Sequence, residues 1–472
     1  MLTEEQKELV DLDCDKNNTV IVEAYAGAGK TSTLLEFCKK RPNKNILYLV
    51  YNASMKKEAE SKFKDLKNVK IFTMHGLAYI NTSKKLLEKL GDLTLQIILE
   101  IAQENNINLD IFSSHTVLDN LRDFLISDCL SFKDFLNSSN KLEVNQSLKI
   151  YNLLINENNN YPITHDIYLK IFQTKTPVLK NDIILVDEAQ DLNDCVVDIL
   201  LKQKAVKIFI GDSFQSIYGF RGASNVLKRI ANKKNIEVKT IYLTNSFRCS
   251  PSVAFLANKY LQVLGAKKDF KGLNNKNSES VSKAYLSRTN LNLLKNAYNN
   301  SHKKLFFVGG LKSYNLQDLE DLCLLFSKNE GIKERIKNPF LKNFNNAKEF
   351  LKNIGETDNV EWKSKTTSFL FFVNNKISIF DIKKKLKEAS NGVKMKDADM
   401  IFSTAHKSKG LEFDEVTLSD DFLDLSKLKK ENIERCEEEL RLLYVAITRA
   451  KYKININEKN FLDNEKIKEL LC

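Results

Sequence analysis

At 472 residues, 43% of them hydrophobic, the chain is too long for one ordinary domain and apolar enough to bury more than one core. No run approaches the roughly 20 apolar residues of a membrane-spanning helix, and the polar, acidic start MLTEEQKELVDLDCDK does not read as a secretory signal, so an intracellular protein without a membrane partner is expected. The eight cysteines are scattered without a CxxC pair and the five histidines stand apart from other soft ligands, which argues against a disulfide scaffold and against a zinc or iron–sulfur centre. A net charge of +12 points to a polyanionic partner such as nucleic acid, although Lys- and Asn-rich stretches such as KKDFKGLNNKNSES (267–280) carry part of that charge as solvated linker.

In chain order, the first apolar run of strand length is TVIVEA (19–24), which leads straight into the small-residue loop YAGAGKT and the helical pattern STLLEFCKK. Small residues let backbone N–H groups close round a β-phosphate, while the helix that follows presents its N-terminus to the anion. Read this way, Ala26, Gly27, Ala28, Gly29, Lys30, Thr31 and Ser32 bind nucleotide, with Lys30 on the β/γ-phosphates and the Thr31 hydroxyl on Mg2+. The full GxxxxGK[ST] pattern opens with Gly where this chain has Ala24, so the match is one residue short and leans on the strand before it.

NILYLV (45–50) continues the series of strands. Residues 84–178 then change character: LLEKL, LTLQIILEIAQ and VLDNLRDFLI repeat apolar residues at helical spacing, which predicts a helical insertion. In ILVDEAQD (184–191) an apolar strand delivers Asp187 and Glu188 to its carboxyl end, the edge where ligands sit in open α/β sheets. Asp187 is the candidate Mg2+ ligand and Glu188 the candidate general base for the attacking water. With VKIFI (206–210) and KTIYLT (239–244), this series predicts a first α/β domain over 1–83 and 179–265. VSKAYLS (281–287), KKLFFVG (303–309), MIFSTA (400–405) and EVTLS (415–419) predict a second over 281–310 and 396–472. Residues 311–395 interrupt it, mixing helical stretches with FLFFVNN and the basic DIKKKLKEAS.

LTEEQ (2–6), AGAGKT (26–31), YLVYNASMKKEAESKF (48–63), FTMHGLAY (72–79), ILVDEAQD, GDSFQSIYGFRGA (211–223), LTNSFR (243–248), STAHKSKGLEF (403–413) and EEELRLLYVAITRAK (437–451) occur in that order. Together they resemble the superfamily 1 DNA helicases of the UvrD/Rep type, and among them the F-box DNA helicases. The resemblance implies two RecA-like parallel-sheet P-loop domains, each with an inserted subdomain, that run on ATP and Mg2+. It implies that Gln6 meets the adenine, Gln215 senses the γ-phosphate, Arg248 and Arg449 stabilise the transferred phosphoryl group, Phe247 stacks on the base and Glu412 approaches the ribose.

For the nucleic-acid track it implies Tyr51, Tyr218 and Phe220 as stacking rings and Arg221 on a phosphate. Thr73 with His75, and Thr404 with His406, are implied as matching contacts from the two domains. Nothing in the first α/β unit resembles an F-box, and the 21 residues after Lys451 leave no room for a nuclease domain in this chain. The expected function is an ATP-dependent single-stranded DNA translocase or helicase of 3′→5′ polarity, acting in DNA repair, recombination or replication. Single-stranded or partial duplex DNA is the expected partner. The short second insertion implies that a protein partner or a second copy is needed for unwinding. A nucleotide-switched binding protein with slow hydrolysis, and an RNA helicase, are the competing readings.

Overall fold

The computed structural model describes residues 2–14, 18–139, 141–217, 226–233, 236–275, 282–327, 334–356, 360–430 and 433–471. They fall into two compact units, Met1–Ser246 and Phe247–Cys472.

The first unit is built on β1 Thr19–Ala24, β2 Ile46–Val50, β3 Val69–Thr73, β4 Ile183–Val186, β5 Val206–Gly211 and β6 Val238–Leu243. They form one parallel sheet in the order β3-β2-β4-β5-β1-β6. β2 and β4 are buried along their whole length, which is why they read as unbroken apolar runs. Alternate residues feed two cores. Val20, Val22, Ile46, Tyr48, Leu185 and Ile208 pack on one face with Leu34 and Phe37 of helix α2, Lys30–Lys39. Ile21, Leu47, Leu49, Ile184 and Phe209 pack on the other, in a core that runs on into the helices between Lys84 and Thr174. Among the described residues the elements of that stretch are helices, joined by loops, apart from an isolated bridge between Leu90 and Ile163. The order of strands sets β4, β5 and β1 side by side, so the loops after all three open at one edge.

The second unit holds β7 Lys283–Ser287, β8 Leu305–Phe307, β9 Met400–Thr404, β10 Phe413–Leu418 and β11 Ala450–Asn455, parallel in the order β8-β9-β7-β10-β11. From Leu311 to Asp397 the described elements are helical, and FLFFVNN lies within the helix Val360–Asn374. Its Phe369 and Phe372 are buried with Trp362 and Phe350.

The expected boundary at residue 265 is corrected to Ser246/Phe247. The helix Pro251–Val263 belongs to the second unit because its capping residue Ser250 takes the Lys451 carbonyl at 2.7 Å, Lys259 Nζ donates to the Leu462 carbonyl at 2.8 Å, and the Tyr260 hydroxyl donates to the Asn460 carbonyl.

Candidate nucleotide site and nucleic-acid motifs

The loop between β1 and α2 turns through left-handed backbone at Gly27 (φ 71°) and Gly29 (φ 77°), conformations that a side chain at Cβ disfavours. Gly29 caps α2 without a side-chain bond, so the first N–H groups of the helix face the loop. Ala26 and Ala28 are buried beneath it. Gln6, on helix α1 (Glu4–Val10), donates from Nε2 to the Ala28 carbonyl at 3.2 Å and accepts from the Thr3 N–H at 3.1 Å. Its amide therefore ties α1 to the loop.

At the adjoining strand ends the acidic residues converge. Lys30 Nζ lies 3.0 Å from Glu188 Oε1. Burial works against its charge, yet Glu188, Asp187 and Asp212 outweigh it and hold the ammonium above its ordinary pKa. Burial, with Glu188 next, pushes the Asp187 carboxyl up against the pull of Lys30. Glu188 sits at φ 50°, ψ 41°, a left-handed conformation that costs a non-glycine residue on the order of 1 kcal/mol and is typical of functional turns. Gln190 Nε2 donates to Glu188 Oε2 at 2.5 Å, and its Oε1 accepts from the Asp212 N–H at 3.1 Å. Asp212 in turn accepts from Gln215 Nε2 at 2.8 Å. Lys30, Glu188, Gln190, Asp212 and Gln215 thus form one continuous chain across the ends of β1, β4 and β5. A Cβ on Gly211 would stand 2.2 Å from Gln190 Oε1, so only glycine lets this chain close.

In the second unit Arg248 Nε donates to Glu412 Oε2 at 2.9 Å, and Lys451 Nζ lies 3.2 Å from the other carboxylate oxygen. Burial raises the Glu412 pKa, but the two cations prevail and hold it below the usual carboxylate value. Phe247 is 47% exposed. Arg449, read from sequence as a cation for the phosphoryl group, is 1% exposed. It donates to the Val445 carbonyl at 2.9 Å and the Leu411 carbonyl at 3.2 Å, capping the helix Ile433–Ile447.

The two Thr–His motifs have the same local build. Thr73 ends β3, and its hydroxyl accepts from the Gly76 N–H at 2.9 Å; Thr404 ends β9, and its hydroxyl accepts from the Lys407 N–H at 3.4 Å. His75 Nε2 is 3.1 Å from Asp166 Oδ1, with the rings of His165 and Tyr168 edge-on to it. Burial, then the charge of Arg288, lowers the His406 pKa to about 4, so it is a neutral imidazole at physiological pH. Tyr51 stands at the end of β2, 39% exposed. Tyr218, Phe220 and Arg221 lie outside the described residues.

A sequence model of the UvrD/REP helicase N-terminal domain matches residues 2–235, and one of the UvrD-like helicase C-terminal domain matches residues 399–456. The chain belongs to the UvrD/Rep helicase family. It is 32% identical over 527 residues to F-box DNA helicase protein 1 of Schizosaccharomyces pombe, a match covering 97% of this chain and 57% of that protein. It is 29% identical over 503 residues to F-box DNA helicase 1 of Gallus gallus, covering 95% and 48% respectively. A probable DNA helicase of Mycoplasma pneumoniae is 24% identical over 375 residues, covering 70% of this chain and 68% of that protein. The chain therefore spans about half the length of the F-box DNA helicases it matches.

UvrD/Rep helicases are ATP-hydrolysing enzymes, and the donors in the first unit fit the magnesium nucleotide such enzymes use. Thr31 and Asp187 offer only oxygen, from one hydroxyl and one carboxylate, which suits a cation that keeps several waters and takes the rest of its shell from phosphates. Sequence reasoning assigned no role to Tyr48, Gln190 or Asp212. Gln190 and Asp212 stand inside the quoted motifs. Tyr48, whose hydroxyl donates to Asp187 Oδ2 at 2.8 Å, stands there too, as the first residue of YLVYNASMKKEAESKF.

Proposed function

We propose that this chain is an ATP-driven translocase and helicase on single-stranded DNA, moving 3′→5′ in DNA repair, recombination or replication. The observation that carries the reading is the chain of contacts from Lys30 through Glu188, Gln190 and Asp212 to Gln215 at three adjacent strand ends. In this reading the loop N–H groups and Lys30 bind the phosphates, and Thr31 and Asp187 hold Mg2+. When bound, Mg2+ neutralises charge on the β- and γ-phosphate oxygens. Glu188 accepts the proton of the attacking water once nucleotide draws Lys30 away from it, and Gln190 keeps the carboxylate oriented. Gln215 carries the state of the γ-phosphate along the same chain. Arg248 and Arg449 are assigned to the developing phosphoryl charge, Gln6 and Phe247 to the base, and Glu412 to the ribose.

The track is assigned to Tyr51, Tyr218, Phe220 and Arg221 with the two Thr–His motifs, stacking and phosphate contacts acting together. His406 takes part as a neutral hydrogen-bonding ring. A location on cellular DNA follows from this reading. Steady-state ATP hydrolysis, measured alone and with single-stranded DNA or RNA, tests it. Strong stimulation by DNA is expected; stimulation by RNA alone would make the chain an RNA motor, and slow hydrolysis on both would make it a nucleotide-gated binder.

A further inference from the structure

β2 carries one aromatic in an otherwise aliphatic run, Tyr48 in ILYLV. It is 1% exposed, with its ring against Phe63 at a centroid distance of 5.0 Å. A residue that merely filled this core would be apolar, because a buried hydroxyl is costly unless it is bonded. The Tyr48 hydroxyl is bonded to a carboxylate at the end of β4. It donates to Asp187 Oδ2 at 2.8 Å, while the Glu188 N–H holds the other oxygen of that carboxylate at 2.9 Å. A phenol has one proton to give, and Tyr48 commits it to this carboxylate.

We propose that Tyr48 is a positioning residue for the divalent cation, orienting its carboxylate ligand Asp187 through the hydrogen bond from the phenol. The inference rests on the reading of Thr31 and Asp187 as ligands of nucleotide-bound Mg2+. It adds a residue buried behind the carboxylate ligand. Partners of this kind, which orient metal ligands, typically change metal affinity by about 10- to 100-fold when removed.

Tyr48→Phe removes the hydroxyl and keeps the ring on Phe63. The experiment is a fluorescence titration with mant-ADP, across Mg2+ concentrations and in EDTA, on the wild-type chain, Tyr48→Phe, Asp187→Asn and the double variant, with thermal melts to establish that each is folded. Tyr48→Phe is expected to raise the Mg2+ concentration for half-maximal tightening of nucleotide by about 10- to 100-fold, with affinity in EDTA unchanged. Added to Asp187→Asn, it is expected to change nothing further, as befits a residue acting through that carboxylate. Wild-type Mg2+ dependence in Tyr48→Phe overturns the inference, as does an equal loss with and without Mg2+, which would mark a packing role. If Mg2+ has no effect on the wild-type chain, the assignment of Thr31 and Asp187 fails as well.

Discussion

Replacing Glu23 by glutamine is expected to change how the stability of the first unit depends on pH. Glu23 lies near the end of β1, and its carboxylate accepts from the Ser213 N–H at 2.7 Å, tying the sheet to the loop that carries Asp212 and Gln215. Burial first, and then the charge of Asp212, push its pKa from 4.5 up to about 7, against the Ser213 bonds and the charge of Lys228. The folded unit therefore keeps a proton that the unfolded chain releases. The stability so gained is fully present below pH 4.5, declines as pH rises, and is lost above about pH 7. At about 1.36 kcal/mol per pKa unit, the shift is worth about 3 kcal/mol. The amide of Glu23→Gln has no titrating proton, so the variant should gain on the wild type by about that amount between pH 4.5 and pH 8. Native-state hydrogen exchange of the β1 amides, comparing the two proteins at each pH, cancels the intrinsic pH dependence of exchange and the other titrating groups. A stability difference that stays constant across that range would refute the reasoning.

Two further substitutions separate roles around the phosphate site. Lys30→Ala should weaken nucleotide binding, whereas Glu188→Gln should bind ATP and DNA normally and turn over roughly 100- to 10,000-fold more slowly; near-normal turnover in Glu188→Gln would remove the general base. Gly211→Ala puts a Cβ 2.2 Å from Gln190 Oε1 and 3.1 Å from the Ala189 nitrogen, so it should cost about 1–3 kcal/mol of stability and slow hydrolysis. Unaltered hydrolysis in a folded Gly211→Ala chain would show that the Gln190 bridge is dispensable.

The apolar runs made the sheets readable because strands covered on both faces admit little but Val, Ile, Leu and aromatics, as β2 and β4 do. β3 escaped notice for the opposite reason: it is an edge strand, partly exposed, with Lys70 as its second residue. β11 was missed similarly, since AKYKIN alternates cations with apolar residues. The boundary near Ser246 was hidden because Pro251–Val263 looks like any amphipathic helix, and what assigns it is distant partners such as Lys451 and Leu462. At the site, motif spacing names Lys30, Asp187 and Glu188 but not who holds them. The bond from Gln190 to both Glu188 and Asp212 joins neighbouring strands, and the bond from Tyr48 to Asp187 spans 139 positions of sequence. The bonds from Arg449 to the Val445 and Leu411 carbonyls were likewise not legible in the motif that names the residue.

The central claim is that ATP hydrolysis drives directed movement along single-stranded DNA. It is tested most directly by placing streptavidin at either end of a biotinylated oligonucleotide and timing its displacement with ATP, using Glu188→Gln as the inactive control. Faster clearance of the block from the 5′ end by the wild-type chain is the predicted result, since a 3′→5′ motor pushes toward that end. Faster clearance from the 3′ end would contradict the polarity, and ATP-dependent clearance from neither end would contradict the motor itself.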